Sequence, residues 1–326
     1  MKLAILGCGG IAETMARTVN GMGDEAELYA IGSRSLAKAE AFKEKYNVTK
    51  AYGSYEEMLA DDEIDLVYIA VPHSHHCQWS VAALNAGRNV LCEKPFAVNE
   101  KQAREMIELA EKKNLLITEG IWTRYMPSRK IIDELVEQGT IGRLITVSAN
   151  LGYRIDMNER MVKPELAGGA LLDLTVYVLN FASMVWGDDI KKITASCVMT
   201  NTGVDGQDTV MIEYQDGRMA NLFTTMYALT NRMGLIVGTE GFIEVENINN
   251  PQEIRVYSPD REGPVLKQCI KVPEQITGFE YEVLSCKRAI EEGRIECPEM
   301  PHSQTIQITC QMDRIREQFG IKFPFE

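Results

Sequence analysis

The sequence predicts a chain in two parts: an α/β domain with a doubly wound parallel sheet at residues 1–120, and an α+β domain with a large open, mainly antiparallel sheet at 121–326. In the first part, short apolar runs alternate with segments whose apolar residues have helical spacing, as in βαβ units. After Arg143, strand-like runs follow one another, separated by turn signals such as Asp216-Gly217. The last helix can pack back on the first domain.

The first element is an apolar strand that leads into a glycine-rich turn and then into a segment of helical spacing. In this context the sequence Gly-x-Gly-x-x-Ala indicates dinucleotide binding on a Rossmann fold. Gly7 permits the tight turn, Gly9 lets the backbone approach a pyrophosphate, and Ala12 allows the helix to pack closely on the strand. The candidate cofactor residues of this turn are Gly7, Gly9, Gly10, Ile11 and Ala12. The alternative is an ordinary βα turn that is rich in glycine.

The end of the second strand, Glu27 to Ser33, bears on the choice between the two nicotinamide dinucleotides. NAD sites carry an acidic residue near the end of this strand, which binds the ribose 2′-hydroxyl. Here Ser33 and Arg34 stand at that place, and Lys38 follows one helical turn later. A hydroxyl and a guanidinium suit a 2′-phosphate better, so we predict NADP, with NAD as the alternative cofactor. Arg34 and Lys38 could instead be solvated surface charges.

A strand with almost no polar residue, Asp65 to Val71, ends in a loop that contains three histidines. Ligands of doubly wound sheets lie at the carboxyl ends of the strands, so we expect this loop to contact the cofactor. The candidate residues are Val71, Pro72, His73 and His76. We predict no metal site here, because no Cys, Asp or Glu stands at ligand spacing from the histidines.

The next strand leads into Glu93-Lys94-Pro95. The residue before a proline is driven out of helical conformation, so Lys94 is expected to be extended at the carboxyl edge of the sheet. A lysine at this edge can hydrogen-bond a substrate oxygen or share its proton. Glu93 and Lys94 are therefore candidate site residues.

Two further segments carry side chains that suit a binding site. Trp122 could stack on a ring or a sugar, and Arg124 could line the same site or serve as a structural ion-pair partner. In the second part, a helix over residues 168–182 carries Asp173 and Tyr177, which are four positions apart and so share a face. By spacing alone, Tyr177 is more simply a core aromatic of this helix.

The charge, the apolar runs and the cysteines of the chain argue against several kinds of partner and location. The chain has 326 residues and a net charge of −13, so nucleic acid and anionic membranes are not expected partners. We find no signal peptide and no apolar run near the ~20 residues that span a bilayer. The eight cysteines are scattered without a Cys-x-x-Cys pair, which predicts reduced thiols in a cytoplasmic protein.

Four motifs carry a resemblance to a known family: GCGGIA at 7–12, VPHSHH at 71–76, CEKP at 92–95 and GGALLDLTVY at 168–177. In this order they resemble the oxidoreductases grouped around glucose–fructose oxidoreductase and inositol 2-dehydrogenase, the Gfo/Idh/MocA family. The segments around Trp122 and Asp173 look most like the dihydrodiol dehydrogenase branch, which includes NADP-linked xylose dehydrogenases.

The resemblance implies hydride transfer between NADP(H) and a CH–OH or carbonyl carbon of a sugar, polyol or cyclic diol. It implies that Lys94 is the catalytic lysine and that Asp173 belongs to the site. Tyr177 stands where many members have His, and the resemblance to the tyrosine-bearing branch makes it the expected proton carrier. Two alternatives stay open: glycoside hydrolysis through transient oxidation by tightly bound NAD, and a cofactor-binding regulator without turnover.

We also predict a homodimer or homotetramer, because the family often associates through its large sheet. A broad sheet face without a helix to cover it tends to find a partner. We expect Ala220, Leu222, Thr224 and Met226 to share that face.

Overall fold

The computed structural model describes residues 1–326 and divides into two compact units. The strands, numbered in chain order, are β1 (Lys2–Leu6), β2 (Glu27–Gly32), β3 (Lys50–Tyr52), β4 (Leu66–Ile69), β5 (Asn89–Glu93), β6 (Ile117–Gly120), β7 (Leu144–Gly152), β8 (Ile190–Met199), β9 (Asp205–Tyr214), β10 (Met219–Thr225), β11 (Gly234–Gly238), β12 (Phe242–Val245), β13 (Glu253–Asp260) and β14 (Gly263–Lys271). The helices are α1 (Gly10–Gly21), α2 (Leu36–Tyr46), α3 (Tyr55–Leu59), α4 (His76–Asn85), α5 (Glu100–Lys113), α6 (Pro127–Glu137), α7 (Val176–Trp186), α8 (Glu280–Glu291) and α9 (His302–Phe319).

The first unit comprises Met1–Tyr125 and Gln275–Thr309, and the second comprises Met126–Glu274 and Cys310–Glu326. The first unit therefore ends five residues later than the boundary expected at 120 and regains 35 residues from the end of the chain. The physical reason lies in the turn after β6, where the Trp122 ring stacks on Phe279 with the centroids 4.6 Å apart. The returning segment includes α8 as well as the first part of the last helix, so it is larger than the sequence suggested.

The first unit is built on a six-stranded sheet in the order β3-β2-β1-β4-β5-β6, with every pair parallel. This is the doubly wound order, in which the strand sequence reverses between β1 and β4. The central strands are apolar and buried, as parallel strands with helices on both faces must be. Asn99 caps the N-terminus of α5, because its side chain accepts a hydrogen bond from the Gln102 N–H at 2.9 Å.

The second unit contains an eight-stranded sheet in the order β14-β13-β12-β11-β7-β10-β9-β8. All neighbours are antiparallel except β7 and β10, which are parallel. The helix α7 packs on one face of this sheet, where a side chain at Gly234 of β11 would collide with the Phe181 ring. One face of the sheet is therefore covered.

The prediction about the open face of this sheet is wrong in its residues. Ala220, Leu222, Thr224 and Met226 do share a side of the chain, but they are buried. Asn221 is exposed and Phe223 is half-buried, so these β10 residues lie on the opposite, open face. Side chains alternate along a strand, and the small and apolar set faces inward because α7 covers that side.

One stretch, Pro164–Trp186, is long and apolar enough by composition to cross a membrane, although the sequence analysis found none. In the structure 89% of its apolar window is buried inside the protein. It is the core helix of the second unit, and its hydrophobicity serves packing on the sheet.

Candidate active site

The turn after β1 has the geometry of a phosphate-binding loop. Gly7 has φ +117°, and a Cβ there would lie 2.4 Å from the Ala70 carbonyl oxygen at the end of β4. Gly9 is the N-cap residue of α1 and makes no side-chain cap, and a Cβ at Gly9 or Gly10 would meet no other part of the protein within 4 Å. Ala12 is fully buried, which lets α1 pack closely. The N–H groups and positive end of α1 are thus open to an anion, so these residues fit the pyrophosphate of a dinucleotide.

The end of β2 carries positive charge and no acidic residue. The Ser33 side chain is buried and accepts a hydrogen bond from the Ser35 N–H at 3.3 Å, whereas Arg34 and Lys38 are exposed. The Arg34 charge acts on Tyr55 and on His75, so its guanidinium lies near the loop after β4. Burial first and this charge second lower the pKa of His75.

His76 connects the loop after β4 to the loop after β5. Its ring nitrogens lie 3.0 Å from the Val71 carbonyl oxygen and 2.7 Å from the Pro95 carbonyl oxygen. The side chain is buried, and this burial lowers the pKa of His76 to about 3. A neutral ring carries one N–H, so it donates to only one of these two carbonyl oxygens. His73 is also buried and contacts the His76 ring edge to face, with centroids 5.7 Å apart. Both rings therefore stabilise the loops that follow these strands.

Lys94 lies beside two buried carboxyl groups. Glu93 accepts hydrogen bonds from the Tyr68 hydroxyl and, at 3.1 Å, from the Lys94 N–H. Glu119, at the end of β6, accepts one from the Phe96 N–H at 3.1 Å, and its other oxygen has no hydrogen-bond partner. Burial raises the pKa of Glu119 to about 7, although Arg124 and Lys94 lower it. The Lys94 charge also lowers the pKa of His76, which places these groups together at the carboxyl edge of the sheet.

Trp122 and Arg124 lie in a short 3₁₀ turn after β6. One face of the Trp122 ring is taken by Phe279. Arg124 is buried and donates a hydrogen bond to the Gln304 amide oxygen at 2.9 Å. Phe279 was not foreseen as a partner of Trp122, because 157 positions separate them.

The second unit holds Asp173 and Tyr177 at the start of its core helix, and both side chains are buried. Asp173 lies in a π-helical turn, Leu171–Thr175, and Tyr177 in the first turn of α7. Such turns often occur at functional sites. The Arg160 guanidinium donates to Asp173 at 3.0 Å and is half-exposed. Sequence reasoning missed Arg160, since no motif covers the segment in which it lies.

A family profile described as the oxidoreductase family with an NAD-binding Rossmann fold matches residues 1–121, and a Gfo/Idh/MocA C-terminal domain profile matches residues 130–244. The chain belongs to the Gfo/Idh/MocA family. It is 34% identical to the trans-1,2-dihydrobenzene-1,2-diol dehydrogenase of Danio rerio over 92% of this chain and 91% of that protein. The Mus musculus enzyme of the same name is 30% identical over 99% and 98%.

Solved structures show the same fold. The 3-ketoreductase KijD10 from Actinomadura kijaniata, in complex with NADP and TDP-benzene, has a TM-score of 0.89 at 22% identity and covers 98% of this chain and 97% of its own. Levoglucosan dehydrogenase, in complex with NADH and levoglucosan, has a TM-score of 0.86 at 18% identity and 99% coverage of both chains.

Family membership confirms four predictions: the fold, the resemblance, the nicotinamide dinucleotide and the reaction class. The protein is an NAD(P)-dependent oxidoreductase of CH–OH groups. The roles of individual residues stay predictions and are argued next.

Proposed function

We propose that this protein is an NADP(H)-preferring dehydrogenase or reductase of a sugar, polyol or cyclic diol. The observation that carries the cofactor preference is the end of β2, where Arg34 and Lys38 are exposed and no acidic side chain follows the strand. A guanidinium recognises a phosphate through charge and paired hydrogen bonds, and it gives a 2′-hydroxyl little advantage.

The substrate class rests on the relatives. The curated relatives with 30–34% identity are named for a cyclic diol, trans-1,2-dihydrobenzene-1,2-diol. The structural neighbours include a 3-ketoreductase and a levoglucosan dehydrogenase, which broadens the class toward sugars. A vicinal diol is the group that a sugar, a polyol and a cyclic diol have in common.

The proposed chemistry assigns roles to Lys94 of the first unit and to Asp173 and Tyr177 of the second. The bound nicotinamide supplies or accepts the hydride. Tyr177 takes the alcohol proton in oxidation and returns it in reduction, while Lys94 binds the same oxygen and stabilises its developing negative charge. An unperturbed phenol has a pKa of ~10, and a nearby ammonium favours the phenolate. Asp173, held by Arg160, orients the substrate or the lysine.

The remaining cofactor contacts are proposed from the first unit. Gly9, Gly10, Ile11 and the small Ala12 would hold the pyrophosphate, and the loops after β4 and β5 would flank the nicotinamide. His76 supports both loops from behind, because its ring lies between Val71 and Pro95. Trp122 remains a proposed wall of the cofactor and substrate site.

We further propose a homodimer that forms through the open sheet face in the second unit. The half-buried Phe223, Leu235 and Phe242 lie on that side, and Phe242 stacks on Tyr257 at 4.7 Å. We also propose that the protein acts in the cytoplasm, since all eight cysteines are free.

The test is a substrate screen with both cofactors. Aldoses, polyols and cyclic diols are offered with NADP or NAD, and the near-ultraviolet absorbance of the reduced nicotinamide is followed. We expect turnover with vicinal diols and a higher kcat/KM with NADP. Glycoside cleavage without net change in reduced nicotinamide would contradict the proposal, as would tighter binding of NAD than of NADP.

A further inference from the structure

Two buried aspartates of β9, Asp205 and Asp208, lie beneath the helix that carries Asp173 and Tyr177. Both are almost fully buried, and their carboxyl groups are within hydrogen-bonding reach of each other. Two ionised carboxylates cannot occupy such a position, because like charges at this distance and depth repel strongly. One proton must therefore lie between them.

The donors around each carboxyl group show which aspartate is ionised. Asp205 accepts hydrogen bonds from the backbone N–H groups of Ala170 and Leu171, at the positive end of the helix. Its oxygen also fills the space above Gly169, where a Cβ would lie 2.4 Å from it. A carboxylate is favoured at such a helix N-terminus, so Asp205 carries the charge.

Asp208 has the opposite environment. One oxygen accepts a hydrogen bond from the Thr175 hydroxyl at 2.7 Å, and the Thr224 hydroxyl also lies close to the carboxyl group. The other oxygen, Oδ1, has no hydrogen-bond partner in the protein. A protonated Asp208 can donate from this second oxygen to Asp205. The Thr224 hydroxyl of β10 lies 2.6 Å from that of Thr175 and, as the donor, completes a chain of hydrogen bonds that all run in one direction.

We propose that Asp208, protonated, and Asp205, ionised, are positioning residues that fix the helix bearing Asp173 and Tyr177. This inference rests on the proposed role of Tyr177. Thr175 is held by the pair and lies two positions from each of the two site residues. A helix held at its first N–H groups and at Thr175 can neither rotate nor slide there.

The pair makes this arrangement sensitive to alkaline pH. Burial raises the pKa of Asp208, and the charge of Asp205 raises it further. The other titratable groups that face the pair are also acidic: Cys197 on β8 and Tyr227 after β10, with Asp156 beside Tyr227. Asp173 lies on the helix itself, where Arg160 compensates its charge. When Asp208 loses its proton, two buried negative charges repel each other and the helix loses its cap.

The experiment compares Asp208→Asn, Asp208→Ala and the exposed control Asp216→Asn. An asparagine amide can donate to Asp205 at every pH, whereas alanine cannot. We expect Asp208→Ala to lower kcat by ~10–100-fold with the NADP(H) Kd within about twofold, as for a small misplacement of a reacting group. Asp208→Asn should restore most of this loss and remove the alkaline fall of kcat in the oxidation direction. Asp216→Asn should keep the parent profile.

A readout without turnover separates this inference from the proposed function. In infrared difference spectra, the parent minus Asp208→Asn should show the carbonyl band of one protonated carboxylic acid, and the parent minus Asp216→Asn should not. The bands of the other buried acids, Glu119 and Glu282, whose pKa values burial also raises, cancel in both differences. A parent-like band or a parent-like alkaline fall of kcat in Asp208→Asn would overturn the inference, even if Tyr177→Phe is inactive. An active Tyr177→Phe would instead overturn the proposed role of Tyr177 as the proton carrier. It would also remove the reason for the Asp205–Asp208 pair to position Tyr177, whatever the infrared band shows. Replacing Cys197 with Ser should leave the alkaline fall in place; its loss would assign the effect to the thiol.

Discussion

The surroundings of Lys94 show how single residues set the chemistry of the first unit. Burial raises the pKa of Glu119 to about 7, and the hydrogen bond from the Phe96 N–H offsets this only in part. The other oxygen of Glu119 has no hydrogen-bond partner. A carboxyl group beside the lysine therefore titrates near neutral pH.

Glu119 should make stability fall as pH rises. Its folded pKa lies above the ordinary value of 4.5, so its contribution is full below about 4.5 and is lost as pH passes through about 7. The free energy of unfolding should fall over this window by at most about 3 kcal/mol. Urea denaturation of Glu119→Gln at pH 5 and pH 8.5 should show a smaller fall, and the exposed control Glu108→Gln should behave as the parent. Equal falls in parent and Glu119→Gln would contradict the assignment.

Arg34 should decide cofactor preference. Replacing it with alanine should weaken NADP(H) by ~1.5–3 kcal/mol, the range for a charged hydrogen bond, and change NAD(H) affinity much less. Fluorescence titration with both reduced cofactors measures this. Lys43→Ala, on the helix α2 that follows Arg34, is the matched control and should leave both affinities unchanged. Equal weakening of the two cofactors by Arg34→Ala would disprove the role.

At the scale of elements, the glycines between β1 and α1 differ in what requires them. Gly7 meets the protein's own backbone, whereas Gly9 and Gly10 meet no protein atom. The fold therefore requires the first glycine, and we propose that the other two are required by a ligand that approaches the helix.

This difference predicts that an alanine at Gly7 lowers stability, whereas an alanine at Gly9 lowers NADPH affinity. Gly7→Ala should destabilise the protein strongly, because φ is +117° and the new Cβ would overlap the Ala70 carbonyl. At Gly9, φ is −84° and an added Cβ would point into open space. The free energy of unfolding of Gly9→Ala should therefore stay within about 0.5 kcal/mol of the parent. Its NADPH affinity should nevertheless fall at least about tenfold. Parent-like NADPH binding by Gly9→Ala would rule out this turn as the pyrophosphate site.

Most helices and strands could be predicted from the sequence because the spacing of apolar residues along the chain follows from which side of each element is buried. The apolar strand β4 and the helix α1 after the glycine-rich turn are examples. The strand β14 could not be predicted in this way, because it lies at the sheet edge, where most of its side chains are exposed and no apolar alternation marks it. Arg160 and the Asp205–Asp208 pair were missed for another reason. Their partners lie on segments that are distant in the sequence, and such contacts leave no pattern in the neighbouring residues.

At the scale of the whole molecule, the open sheet face should determine the oligomeric state. Half-buried aromatic and aliphatic side chains on a broad face favour association. Light scattering at micromolar concentration should give a dimer for the parent and a monomer for Phe223→Asp. The exposed control Gln138→Asp should remain dimeric. A monomeric parent would contradict the proposal.

The central claim is that Tyr177 carries the proton and Lys94 acts with it. The most direct measurement is turnover of Tyr177→Phe at saturating NADPH, beside Lys94→Met and the double variant. Each single variant should lose roughly 10²–10⁴-fold in kcat, the range of general acid–base groups, with NADPH affinity of Tyr177→Phe nearly unchanged. The double variant should be little worse than either, because residues that act as a unit are not additive. A Tyr177→Phe enzyme within about threefold of the parent would contradict the claim, since that loss lies far below the general acid–base range.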